Sequence, residues 1–335
     1  DFLDWISRFV PHNRGMTDAR WRASTEAGVS ELLRTGTTAV ADVAATAAAI
    51  DVLAGSGLAG ISYVEAVGAD EAGWPDRRAR LLSFVDRSST RRLGVSPHTL
   101  YTLGTGVVRD CVTLGRQRRL RLHPHAAESP YEVEYVASGT GPFAQANLRY
   151  GFAMELQAAG GSARSPVAEL AELGALGPDV HVAHGVHCDA ADRALLRSHR
   201  TSVTLCPRSN GTLGVGEAPV AAYRAEASPV AVGTDSLAST PSLDLLDDLA
   251  ALRATAVRQG SSAEGLDRWL VEAATVGGAA AMGLDDVGVL RAGSRADLAV
   301  FDVDPAADPY AALVSAAGRC VGTVLCGRIV HDLVH

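Results

Sequence analysis

The chain has 335 residues, 47% hydrophobic and 20% charged, enough to bury a large core as one α/β unit with at most a small appendage. Its net charge of −8 and pI near 5.7 speak against nucleic acid or an anionic membrane surface as the main partner. The basic complement is all arginine, 30 residues with no lysine, which reads as codon bias rather than chemistry.

Apolar strand-like runs alternate with amphipathic helical stretches along the chain, the mark of βαβ units and a parallel sheet. Thr17 is placed to cap a first helix that runs to Leu33 and is closed by Gly36. Strands are expected at 38–43, 60–67, 93–98, 120–125, 180–184, 202–206 and 230–234, rich in Val, Leu, Ile and Ala, as suits strands covered on both faces. Helices fill the gaps, among them 165–173, 190–198 and 242–257. Residues 139–165 hold Gly-Thr-Gly-Pro and Gly-Gly-Ser and read as a long loop of the kind that covers an active site.

Past Leu284 the pattern changes. Residues 296–302 and 321–332 alternate like antiparallel strands, with Cys326-Gly327-Arg328 as the turn. The expected division is 1–287 for an α/β barrel and 288–335 for the C-terminal part of a small β-sandwich. Seven strands do not close an eight-stranded barrel, so a first strand is expected outside this chain. The five cysteines, Cys111, Cys188, Cys206, Cys320 and Cys326, contain no Cys-x-x-Cys pair and are odd in number, which favours a reduced compartment over a disulfide framework. With no long apolar run and no leader-like opening, a cytoplasmic protein is expected.

The chemistry-bearing residues fall at strand ends. His125 closes one strand and can bind a metal through an imidazole nitrogen; Glu128, three residues on, can move protons to or from a substrate ring. His184 closes the next strand and can bind metal or substrate. Asp235 ends the last strand, where a carboxylate is costly unless paired or metal-bound. His98, at the end of 93–98, is given a substrate role. His187 and His181 read more simply as surface or loop polar groups, and His123 as a residue lower in the barrel. A lone His-x-x-Glu is weak; the ordered set at successive strand ends carries the argument, because a (β/α)8 barrel presents its chemistry there.

These motifs resemble the amidohydrolase superfamily, in the branch of triazine hydrolases and S-adenosylhomocysteine deaminases. The resemblance rests on Ser96-Pro97-His98 with Tyr101, His123-Pro124-His125-Ala126-Ala127-Glu128-Ser129, and Val182-Ala183-His184-Gly185-Val186-His187. It continues in Cys206-Pro207-Arg208-Ser209-Asn210, Gly233-Thr234-Asp235-Ser236 and Gly293-Ser294-Arg295-Ala296-Asp297-Leu298. It implies a (β/α)8 barrel in which His125 and Asp235 hold one divalent metal ion, zinc first, with iron or manganese as alternatives, while His184 contacts the water or substrate beside it. It also implies Glu128 as proton shuttle. His98, Tyr101, His187, Arg208 and Ser236 are candidate substrate contacts, with Arg208 suited to a substrate carboxylate.

The family's His-x-His on a first strand has no counterpart here. Asp1-Phe2-Leu3-Asp4-Trp5-Ile6 resembles the loop just after it. Ser129 to Tyr135, Ser165-Pro166-Val167 and the 206–216 stretch resemble aminodeoxyfutalosine deaminases. The expected activity is hydrolytic deamination of an aminopurine-type nucleoside. Alternatives are hydrolysis of another heterocycle, such as a triazine, and a metal-free binding protein. The expected partner is a small molecule, with self-association as a dimer.

Overall fold

Seven apolar runs build the wall of a barrel. They form β1 (Ala39–Ala44), β2 (Ala59–Ala66), β3 (Arg92–Pro97), β4 (Arg121–Leu122) continued as β5 (His125–Ala126), β6 (His181–His184), β7 (Ser202–Leu205) and β8 (Val230–Val232). The structure is a computed structural model that describes residues 1–304, 307–315 and 319–333. Hydrogen-bonded neighbours follow chain order, β1-β2-β3-β4 and β5-β6-β7-β8, and a Leu122–Val180 bridge links the two runs. Every pair is parallel. Among the described residues β8 and β1 are not paired with each other.

Parallel neighbours need crossovers, and helices supply them. Their starts are set by side-chain caps: Thr46, Ser129, Ser165 and Asp189 each accept the backbone N–H three residues on, a donor the helix itself leaves unpaired. The expected helices appear as Asp18–Arg34 behind the cap of Thr17, Pro166–Glu172, Ala190–Ser198 and Leu245–Arg258.

Two segments depart from expectation. Residues 139–165 are not an open loop but carry helices Gly141–Tyr150 and Glu155–Ala158. Gly139 and Gly151 sit at φ +68° and +76° and end the helices before them, and Pro142 lies in the first turn of the second, so these residues punctuate helices. The opening residues are likewise helical, Phe2–Arg14.

The barrel interior is layered. Tyr63 of β2 reaches across to His123 and His181, whose rings stack at 4.1 Å. A side chain at Gly94 would place its first carbon 2.4 Å from the Tyr63 ring, so β3 must carry glycine where that ring lies. Met282 packs below, against Ile61 and Tyr63. His181 is 1% exposed, which corrects its reading as a surface residue.

Beyond the barrel, β9 (Leu298–Asp302), β10 (Arg319–Leu325) and β11 (Arg328–Asp332) form an antiparallel sheet in the order β11-β10-β9. Cys326 and Gly327, both at positive φ, make the expected turn. The sheet rests on helix Asp18–Arg34: Leu325 packs with Val29, Leu32 and Leu33, and Thr323 donates to the Leu33 carbonyl at 2.6 Å. Among the described residues no helix is long and apolar enough to cross a membrane.

Candidate active site

The C-terminal strand ends open into a cavity of about 650 Å³, and six of the nine sequence candidates line it: His98, Tyr101, His125, Glu128, His184 and Asp235. Inward-facing residues on successive parallel strands end on one rim, which is how a barrel gathers groups far apart in sequence. His125 lies 4.9 Å from His98 and 5.4 Å from His184 between ring centres.

Local backbone shapes the rim. Ala127, His184 and Asp235 adopt positive φ of 53°, 73° and 61°, a conformation costly for residues with a Cβ and held here by the surrounding hydrogen bonds. Glu132, fully buried, accepts from the backbone N–H groups of Ala127 at 3.1 Å and Glu128 at 2.8 Å, and so fixes the turn that carries Glu128. Burial pushes the Glu132 carboxyl up to about 7.

Glu128 is 5% exposed, and its Oε1 lies 3.6 Å from His184 Nε2. Burial raises the Glu128 carboxyl above its usual range, with the Asp235 charge adding to this and His184 opposing it. For His184, burial works against the charged ring, but Glu128, Asp235 and the Asn210 hydrogen bond outweigh it and raise the ring. His125 is driven well below the ordinary histidine range by burial and by the neighbouring histidines, and burial takes His98 down to about 4. Neutral imidazoles are the form that offers a lone pair to a ligand or ion.

Asp235 is exposed at the mouth and held by three donors. Ser209 and Ser239 hydroxyls reach its Oδ2 at 2.6 and 3.0 Å, and the Ser236 N–H reaches Oδ1 at 2.7 Å. His98 Nδ1 meets Thr102 Oγ1 at 2.9 Å, and Tyr101 stacks on Phe143 at 3.8 Å.

Three candidates do not line the cavity. The Arg208 guanidinium is taken up by Asp248 at 2.7 Å and Asp247 at 2.9 Å, which corrects its assignment to a substrate carboxylate. Ring Nε2 of His187 is bonded to the Val215 carbonyl at 2.7 Å. Ser236 contributes its backbone to Asp235 while its hydroxyl turns to the Ala238 N–H at 3.2 Å.

The donor types suit a divalent metal ion. His125 Nδ1 is buried without a hydrogen-bond partner, as a nitrogen reserved for a ligand would be. Among the described residues, no group of three metal-ligating side chains is gathered closely enough to hold an ion unaided.

Sequence reasoning missed Glu65, Glu132, Ser209 and Asn210. Glu65 lines the cavity half-buried, and burial pushes its carboxyl up to about 7 with no neighbouring charge to offset it. Strand parity held the signal, since Glu65 is two residues beyond the inward-facing Tyr63. Apolar and cationic side chains complete the cavity, including Trp5, Trp21, Phe84, Arg77 and Arg80.

Residues 1–330 match the sequence profile of the amidohydrolase family. A 5-methylthioadenosine/S-adenosylhomocysteine deaminase of Halobacterium salinarum is 34% identical over 310 residues, 90% of this chain and 67% of that relative. In fold, the chain is similar to a zinc-bound adenosine deaminase from Xanthomonas campestris (TM-score 0.81, 23% identity, 98% of this chain and 74% of that one). It is also similar to the aminofutalosine deaminase of Helicobacter pylori (TM-score 0.80, 20% identity, 92% and 77%). The chain belongs to the amidohydrolase family, hydrolases of carbon–nitrogen bonds, and carries that family's α/β barrel.

Proposed function

We propose that this protein hydrolytically deaminates an aminopurine-type nucleoside. The observation that carries this reading is the buried Glu128 carboxyl, raised in pKa and facing the same cavity as His125, His184 and Asp235. A carboxyl that holds its proton longer than usual suits delivery of a proton to a ring nitrogen. His125, His184 and Asp235 would each offer a ligand toward a divalent ion, zinc first, and such an ion lowers the pKa of water toward neutrality. Asp235 takes a proton as water attacks the amino-bearing ring carbon. Glu128 protonates the adjacent ring nitrogen; Asp235 then passes its proton to the amino group, the carbon–nitrogen bond breaks and ammonia leaves, and the new hydroxyl returns a proton to Glu128 as it becomes the carbonyl.

The cavity volume lies within the range of sites that enclose a nucleoside-sized ligand. Its aromatic lining, Trp5 and Trp21 among it, suits a purine, and Arg77 and Arg80 are placed to meet an acidic tail such as the carboxylate of aminodeoxyfutalosine or S-adenosylhomocysteine. The test is ammonia release by the zinc-supplied protein from 5-methylthioadenosine, S-adenosylhomocysteine, aminodeoxyfutalosine and adenosine. Preference for a carboxylate-bearing substrate supports the reading. Turnover of a chlorotriazine alone would replace it.

A second reading, a binding protein without a metal, is favoured by the lack of three gathered ligands among the described residues. Elemental analysis after dialysis decides between them: one zinc per chain upholds the enzyme, and none, with nucleoside binding retained, upholds the binder.

A further inference from the structure

The sequence Cys206-Pro207-Arg208-Ser209-Asn210 ends β7 and opens a seven-residue helix, Pro207–Leu213. Proline lies in its first turn, where its missing N–H costs nothing, and Gly214 at φ +67° stops it. Three consecutive side chains leave this helix in three directions. Arg208 turns outward to Asp247 and the fully buried Asp248 and ties the helix to Leu245–Arg258. Ser209, fully buried, donates to Asp235. Asn210, 2% exposed, sets its Oδ1 3.1 Å from His184 Nδ1.

An amide oxygen only accepts, so that contact requires a hydrogen on Nδ1 of His184. In the neutral ring the other nitrogen, Nε2, is then the one free to accept, and it lies 3.6 Å from Glu128 Oε1. A histidine whose far nitrogen is bonded to a fixed partner is held in one tautomer and one ring orientation.

We infer that Asn210 is the positioning residue that keeps the His184 proton on Nδ1 and turns Nε2 to Glu128 and the cavity. This rests on the reading of His184 and Glu128 as groups of the reaction centre. Asn210 touches no substrate atom in this scheme; it acts through His184. Arg208 anchors the helix that presents it, which gives that arginine a place in the site although it does not line the cavity.

The test reads the ring directly. The full chain is labelled with ¹⁵N in its histidine rings, and long-range ¹H–¹⁵N correlations are recorded without metal, at a pH where His184 is neutral. Its signals are identified by their loss in His184→Gln. The expected wild-type spectrum has a hydrogen-bearing Nδ1 and a bare Nε2. Asn210→Ala should lose that fixed pattern, and Asn210→Asp, which restores an acceptor, should keep the hydrogen on Nδ1. A wild-type ring with its hydrogen on Nε2, or an unchanged pattern in Asn210→Ala, overturns the inference. The wild-type spectrum decides the tautomer by itself, so a variant that fails to fold leaves the test intact. In turnover, Asn210→Ala should lower kcat on the order of 10–100-fold with KM little changed, and Asn210→Asp should recover part of it. If no nucleoside is turned over, the deaminase reading fails while the ring spectrum still judges Asn210.

Discussion

At Glu128 two demands meet. The carboxyl must stay out of water to hold its proton, and it must be presented at a fixed angle to the cavity. Burial meets the first, and the two backbone N–H groups clamped by Glu132 meet the second. Glu128→Gln keeps shape and hydrogen-bonding size but cannot carry a proton. It is expected to cut kcat on the order of 10²–10⁴-fold while metal content stays near that of the wild type; loss of metal with unchanged rate per bound ion would reverse the roles.

Glu65 is the complementary case, an acid placed at the rim with nothing to balance it. Its carboxyl rises from an ordinary 4.5 to about 7 on folding. Between those values the folded chain holds a proton that the unfolded chain has released, so stability falls as pH rises through this window and levels off above it. Glu65→Gln should therefore be more stable than wild type by ~1–3 kcal/mol at pH 8 and equal to it below pH 4, read by urea melts at the two pH values. Its place at the rim was legible from parity with Tyr63. The convergence of Ser209 and Ser239 on Asp235 was not, because Ser209 comes from a helix after another strand and no local spacing announces the contact.

Among elements, Arg208 is the side chain that ties the short helix Pro207–Leu213 to helix Leu245–Arg258. Arg208→Ala would leave Asp248 buried without its counter-charge, at a cost of about 3–5 kcal/mol, visible as a lower Tm. Arg208→Lys, a point charge without the planar fork, should recover only part of the loss. The seven barrel runs were readable because a buried parallel strand is continuously apolar and its βα turn carries a capping Ser, Thr or Asp. The stretch after Gly139 was misread for a physical reason as well. Glycine at a helix end and proline at a helix start look, in sequence alone, like the residues of a loop. Helix Phe2–Arg14 was hidden in the same way by Pro11, which lies inside it.

For the molecule as a whole, barrel and C-terminal sheet are coupled through helix Asp18–Arg34, which packs against Leu325 on one side and bonds to the rim segment near Asp235 on the other, where Glu31 accepts the Leu243 N–H at 2.8 Å. The same helix brings Trp21 to the cavity, and the helix before it brings Trp5, whose indole N–H is fixed on the Ala238 carbonyl at 2.8 Å. The chain has four tryptophans, so half of its indoles stand in the cavity wall. Occupancy of the site thus has an optical signature. A purine bound against this wall should quench and shift the intrinsic emission in a saturable way, with or without metal and before any bond is broken, and Trp21→Phe should shrink that signal. Emission that ignores every nucleoside offered would mean that the aromatic wall is not where the base lies.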